Sequence, residues 1–84
     1  MSLAAQVLAQ VEQSPWANLA MLEAEASLAW RRFGPQHVAT RKARAEHKRA
    51  ILDQMRAMLD ARPDDARLAV WARTLESEIR ELEA

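Results

Sequence analysis

The chain has 84 residues, half of them hydrophobic, with one glycine and no cysteine. This length suits one small domain with a shallow core, and the absence of cysteine excludes disulfide scaffolds, thiolate metal sites and cysteine nucleophiles. Twelve basic and twelve acidic residues cancel, yet residues 31–50 carry seven basic residues and one acid between two acidic flanks. The sequence therefore predicts a small domain with a basic band at residues 31–49.

Helix-forming residues dominate the composition, and three prolines divide the chain. Ser14-Pro15 is typical of a helix start, Gly34-Pro35 of a helix end followed by a new start, and Pro63 precedes two aspartates that suit a helix N-terminus. We predict one all-α domain, residues 1–84, forming a small helical bundle of about four helices on a long antiparallel hairpin. The predicted helices cover about 2–13, 15–33, 35–61 and 63–83.

The first predicted helix, 2–13, is apolar at Leu3, Val7, Leu8 and Val11. The second, 15–33, is apolar on two nearly opposite sides, and a helix of that kind is normally covered on both. The cover of the second side is either helix 2–13, a second copy of the chain, or another protein. Its first stripe is Trp16, Leu19, Leu22, Ala26, Trp30 and Phe33, and its second stripe is Ala17, Met21, Ala24 and Leu28.

The third predicted helix, 35–61, is apolar mainly in its second half, and the fourth, 63–83, carries a stripe that includes Trp71 and Leu75. We expect Trp16, Trp30 and Trp71 to pack in the core. An antiparallel hairpin about Pro63 pairs residues whose numbers sum to roughly 125. That register predicts the pairs Arg49–Glu76, Lys48–Glu78, Arg44–Glu81 and Lys42–Glu83.

The basic band allows two interpretations. It can bind the phosphates of a nucleic acid, with Arg41, Lys42, Arg44, Lys48 and Arg49 as the polyanion contacts. Alternatively, the acidic end of the fourth helix lies along it and cancels its field. We favour the second interpretation, because the predicted hairpin register brings the two together and the net charge of the chain is zero.

We find no residue pattern that predicts an enzyme. His37 and His47 lie ten residues apart without the spacing of a metal site, and the chain has neither a nucleophile elbow nor a phosphate-binding glycine loop. We therefore expect no catalytic residues, no metal and no cofactor. No apolar run reaches the roughly 18 residues that span a bilayer, and residues 1–13 do not resemble a signal peptide. We expect a cytoplasmic protein without a membrane partner.

The second stripe suggests a function in protein interaction. We predict a non-enzymatic module, an adaptor, assembly factor, small chaperone or inhibitor of a larger complex, that binds another protein or itself as a homodimer. Nucleic-acid binding is the alternative function. The predicted contact residues are Ala17, Met21, Ala24 and Leu28, with Arg31 and Arg32 at the rim.

A limited resemblance offers a weaker alternative. Residues 52–79 place a proline–aspartate turn at Pro63 and Asp65 between apolar residues that include Leu59, Leu68 and Leu75. This segment is similar to the helical hairpin of type III secretion needle subunits and their small co-chaperones. The resemblance covers about a third of the chain, and Trp71 aligns with the family's aromatic residue after a shift of one position. It implies a helical hairpin and a needle-like or co-chaperone-like function.

Overall fold

The structure of the protein, a computed structural model, describes the backbone from Pro15 and the side chains from Ala17. The described residues form three α-helices, α1 (Pro15–Phe33), α2 (Val38–Ala61) and α3 (Ala66–Glu83), and contain no strand. The all-α prediction is confirmed. The predicted helix 2–13 and the side chain of Trp16 lie outside the described residues.

Helix α1 has the predicted bounds, and a glycine ends it. Gly34 adopts a φ of 83°, in the left-handed region that side chains disfavour. Its N–H donates to the carbonyl oxygen of Trp30 at 2.9 Å, which satisfies one of the last free carbonyls of the helix. The glycine thus reverses the chain towards α2.

Helices α2 and α3 each begin three residues later than predicted. Pro35 and Pro63 lie in the turns before these helices instead of in their first turns. The reason is that the capping residues follow the prolines. His37 accepts the N–H of Ala39 through Nδ1 at 3.0 Å, and Asp65 accepts two N–H groups of α3 through Oδ1 at 3.1 Å each.

Helices α2 and α3 form an antiparallel hairpin that contains the main core. The apolar residues that meet there recur at spacings of three and four, so they occupy one face of each helix. Trp71 was predicted to belong to this face, and that prediction is wrong: Ala72 is buried in its place and Trp71 is 57% exposed. The core consists of Leu52, Met55, Ala72, Leu75 and Ile79, with Ile51, Leu59 and Leu68 packed around it.

Helix α1 packs against the other side of α2, with Ala26 buried and Leu19 and Leu22 half-buried. No Cα atom of α1 comes within 8 Å of one in α3. The molecule measures 46 × 41 × 14 Å, and its radius of gyration is 15.5 Å, whereas about 12 Å is typical of a compact chain of this length. The bundle is therefore open, with α2 between two helices that do not meet.

Trp30 is also more exposed than predicted. It lies on α1 where the helix turns towards α2, and 47% of the residue is accessible. The guanidinium of Arg44 lies 5.3 Å from the centre of its ring, within the range of a cation–π contact. Because α3 does not reach α1, nothing among the described helices closes over this tryptophan, and a charged side chain covers it instead.

Candidate protein-interaction surface

The second stripe lies on the side of α1 that faces away from α2. Met21 and Leu28 are each 55% exposed, Ala24 is exposed and Ala17 is half-buried. At 100° per residue these four positions are nearly opposite Leu22 and Ala26, which face α2. The structure therefore separates the two apolar sides of α1 as their spacing indicates: one packs within the chain and the other is accessible.

The surface around the stripe is low in relief. Small side chains at Ala20, Ala24 and Ser27 alternate with the two large apolar ones, and a shallow depression runs along them from Ala20 to Arg31. Small residues let another helix approach closely, while Met and Leu supply the apolar area. This combination suits contact with a helix better than binding of a small molecule, which requires an enclosed cavity.

The charges of α1 are segregated along its length. Glu23 and Glu25 lie in its first half and Arg31 and Arg32 in its last turn. All four side chains are exposed, and none forms an ion pair with another described residue. The arginines also interact favourably with the negative end of the helix dipole. The stripe is thus an apolar strip with an acidic half and a basic end.

The basic band is largely paired with α3. The predicted Lys48–Glu78 pair is confirmed. Arg41 donates to the backbone oxygens of Glu81 and Ala84 at 3.0 Å each. These contacts place the basic first half of α2 against the acidic end of α3, which is the neutralising arrangement that the sequence favours.

Two predicted partners in the band are wrong. Arg49 pairs with Glu83 instead of Glu76, and Glu76 pairs with Arg56 at 3.1 Å. Residue numbers in both pairs sum to 132, whereas those of Lys48 and Glu78 sum to 126. Side chains on the two flanks of an antiparallel helix pair are displaced along the axis, so one sum cannot describe both flanks.

The remaining basic side chains do not form one continuous row. Arg44 covers Trp30 instead of pairing with Glu81, and the predicted pair of Lys42 with Glu83 is absent from the described part of the chain. Lys42 is exposed on α2, while Arg31 and Arg32 are exposed on α1. A nucleic-acid backbone would therefore meet a few separate cations and not a basic face.

The two histidines have structural surroundings. His37 caps α2, and its ring stacks on Phe33 with the centroids 4.6 Å apart. His47 borders an open depression between α1 and α2, together with Trp30 and Arg44. Within residues 15–84, no three His, Asp or Glu side chains are arranged to hold a metal ion. The expectation that the chain has no metal site and no catalytic residues stays a prediction.

None of the helices α1, α2 and α3 combines the length and apolar character that crossing a membrane requires.

Comparison of the chain with protein families, with curated proteins and with solved structures finds no match. The hairpin that the resemblance to type III secretion needle proteins implies is present as α2 and α3. Two helices joined by a capped turn form such a hairpin whatever their function. The exposed side of α1 is the feature that distinguishes this chain from any other helical hairpin.

Proposed function

We propose that the protein is a non-enzymatic, cytoplasmic interaction module, of the adaptor, assembly-factor, chaperone or inhibitor kind, that binds a protein chain through the second stripe of α1. The observation that carries this proposal is the exposure of Met21 and Leu28, 55% each, on the side of α1 that faces away from α2, the helix it packs against. Single exposed apolar residues are ordinary, but a row of them along one helix is typical of an interface.

The rest of the molecule supports the same conclusion. In the hairpin, the buried apolar face is single and is covered within the chain. Helix α1 differs, because α2 covers only one of its two apolar sides and the other is exposed among the described helices. Nucleic-acid binding has less support, since Lys48 and Arg49 are engaged by Glu78 and Glu83 and Arg41 by the end of α3.

Site-specific photocrosslinking in the cell tests this proposal. A photoreactive phenylalanine analogue replaces Leu28 in one variant and Val70 in a control variant. Val70 is a matched position, 54% exposed on α3 and remote from the stripe. We expect a defined adduct at position 28 and none of the same mass at position 70. Equal adducts at both positions, or no adduct at position 28, would contradict the proposal.

A further inference from the structure

We propose that the protein segment bound by the second stripe is acidic, and that its carboxylates bind Arg31 and Arg44 in the groove between α1 and α2, beside Trp30. This inference rests on the proposed function, because it names the chemistry of the partner that the same surface binds. Three observations support it: the stripe continues into the groove, the charge around the groove is mainly positive, and the aromatic side chain in the groove is exposed.

The stripe and the groove are parts of one surface. Glu23, Ser27 and Arg31 border the depression along the stripe, and the same three residues border the groove. Their spacing of four residues places them in one row along α1, between the stripe and the side that carries Ala26. All three side chains of the row are exposed. A chain that lies on the stripe at Leu28 therefore reaches the groove across a single row of side chains.

The groove carries an excess of positive charge. Arg31 of α1 lines it together with Arg44 and Lys48 of α2, and Glu23 is the one carboxylate among the described residues that line it. Lys48 is engaged by Glu78 of α3. The two arginines form no ion pair with any described residue. The groove is therefore complementary to a partner that carries negative charge at this end of the stripe.

The groove also contains an aromatic side chain that α2 covers only in part. Trp30 is 47% exposed, and the guanidinium of Arg44 lies 5.3 Å from the centre of its ring. Tryptophan and arginine are enriched among the residues that dominate the binding energy of protein interfaces. A guanidinium has five N–H groups in a planar fork, so Arg44 can bind a carboxylate while its contact with the ring is kept.

An acidic protein segment fits the whole surface better than a nucleic acid does. Met21 and Leu28 are each 55% exposed on the stripe, and a phosphate backbone has no apolar group to cover them. A nucleic acid also binds best to cations spaced along its length, whereas Glu23 lies in the same row as Arg31. An amphipathic helix supplies an apolar face for the stripe and carboxylates for the groove.

Binding of three designed peptides to the full chain tests the preference for acidic partners. Each peptide has about 16 residues, enough to form a helix, with the same leucine face and a polar face of glutamate, glutamine or lysine. Fluorescence anisotropy of the labelled peptides measures the dissociation constants. We expect the glutamate peptide to bind about 10-fold more tightly than the glutamine peptide at low salt, the lysine peptide to bind least, and the differences to shrink at about 1 M salt. Equal binding of the glutamate and glutamine peptides, or no binding of the glutamate peptide, would overturn the proposal.

Charge-removing variants test the assignment to the groove. Arg31→Gln and Arg44→Gln should each weaken binding of the glutamate peptide several-fold and leave the glutamine peptide unchanged. Arg44→Lys keeps the positive charge and should lose less than Arg44→Gln. Arg73→Gln, the matched control at an exposed arginine of α3, should change neither constant. Circular dichroism checks that the helices are retained. Equal losses for both peptides, or an equal effect of Arg73→Gln, would overturn the assignment.

The emission of Trp30 reports whether the groove is occupied. In the Trp16→Phe/Trp71→Phe variant, Trp30 is the one tryptophan that remains. We expect its emission to change as the glutamate peptide saturates the chain. Unchanged emission at saturation would place the bound peptide outside the groove and overturn the proposal.

A single-stranded oligothymidylate serves as the competing anion. We expect it to bind more weakly than the glutamate peptide at the same salt concentration. Tighter binding that depends on Arg31 and Arg44 would overturn the acidic protein partner in favour of phosphate contacts.

Photocrosslinking at position 28 separates this inference from the proposed function. An adduct that is lost in the Arg31→Gln/Arg44→Gln variant and kept in Arg73→Gln supports both. An adduct that persists in the Arg31→Gln/Arg44→Gln variant supports the interaction module and overturns the acidic partner. Absence of any adduct in the otherwise unchanged chain contradicts the proposed function itself.

Discussion

The hairpin of α2 and α3 differs from helix α1 in how its apolar faces are covered. Each helix of the hairpin has one apolar face, and the two faces cover each other around Leu52, Leu75 and Ile79. Helix α1 has two apolar sides, and only the one that carries Ala26 is covered by α2. A helix with a single stripe is completed by one neighbour, whereas a helix with two stripes requires a second neighbour.

The charges differ in the same way. In the hairpin, basic side chains of α2 and acidic side chains of α3 meet within the chain, as Lys48 and Glu78 do. On α1, Glu25 and Arg32 have no ion-pair partner among the described residues. Most apolar and charged groups of the hairpin therefore meet within the chain, although Val70 and Trp71 are exposed, whereas Met21, Leu28, Glu25 and Arg32 of α1 are exposed with no ion pair among the described residues.

The largest expected difference concerns apolar truncation. Leu75→Ala removes a side chain that is 4% exposed in the hairpin core and should lower the free energy of unfolding by about 3 kcal/mol. Leu28→Ala on α1 should change it by less than about 0.5 kcal/mol in the monomer. Urea denaturation at low protein concentration measures both. Equal losses would show that the stripe of α1 is part of the core.

A smaller effect concerns the turn that joins the hairpin. Asp65→Ala removes the acceptor of two N–H groups at the start of α3 and should cost about 1 kcal/mol. Asp64→Ala, one residue earlier in the exposed turn, should cost no more than a few tenths of that. Thermal denaturation followed by circular dichroism compares the two variants. A larger loss for Asp64→Ala would mean that the cap is assigned to the wrong residue.

A stabilising substitution is expected in α2, the helix that packs against both α1 and α3. Thr40 is fully buried, and its hydroxyl has no hydrogen-bond partner in the described part of the chain. Thr40→Val keeps the shape and removes this buried hydroxyl, so stability should stay equal or rise by about 1 kcal/mol. Thr74→Val, at an exposed threonine of α3, is the control. Destabilisation by Thr40→Val, measured as a lower melting temperature, would indicate that the hydroxyl is bonded in solution.

The smallest effect concerns an exposed ion pair of the hairpin. Arg56 and Glu76 are 3.1 Å apart, with about half of each side chain accessible. Glu76→Gln should lower the free energy of unfolding by less than about 0.5 kcal/mol, and 1 M salt should abolish the difference from the wild type. A loss that persists at 1 M salt would contradict this expectation, because it would show that Glu76 stabilises the hairpin by something other than a screened charge pair.

The sequence predicts the number and approximate ends of the described helices well, because residues close in sequence determine where a helix ends. Gly34 and the Pro63–Asp65 turn mark helix ends through backbone conformation and capping, which are local properties. The starts of α2 and α3 were placed three residues too early, because proline was taken as the first helical residue while His37 and Asp65 supply the caps.

Packing partners were less predictable, since they depend on contacts between helices. Trp71 lies one position from the buried Ala72, and the spacing alone allows either residue to face the core. The observed partners of Arg49 and Glu76 differ from the predicted ones because the two flanks of the hairpin differ in register. The second stripe could be found from the sequence, because the spacing along one helix is enough to define it.

Hydrogen exchange of the full chain tests the contrast between α1 and the hairpin most directly. We expect amides in α1, residues 15–33, to exchange faster in the isolated chain than amides in the core of α2 and α3, because α2 covers only one of the two apolar sides of α1. Protection of α1 equal to that of the hairpin core would contradict the contrast between the two regions.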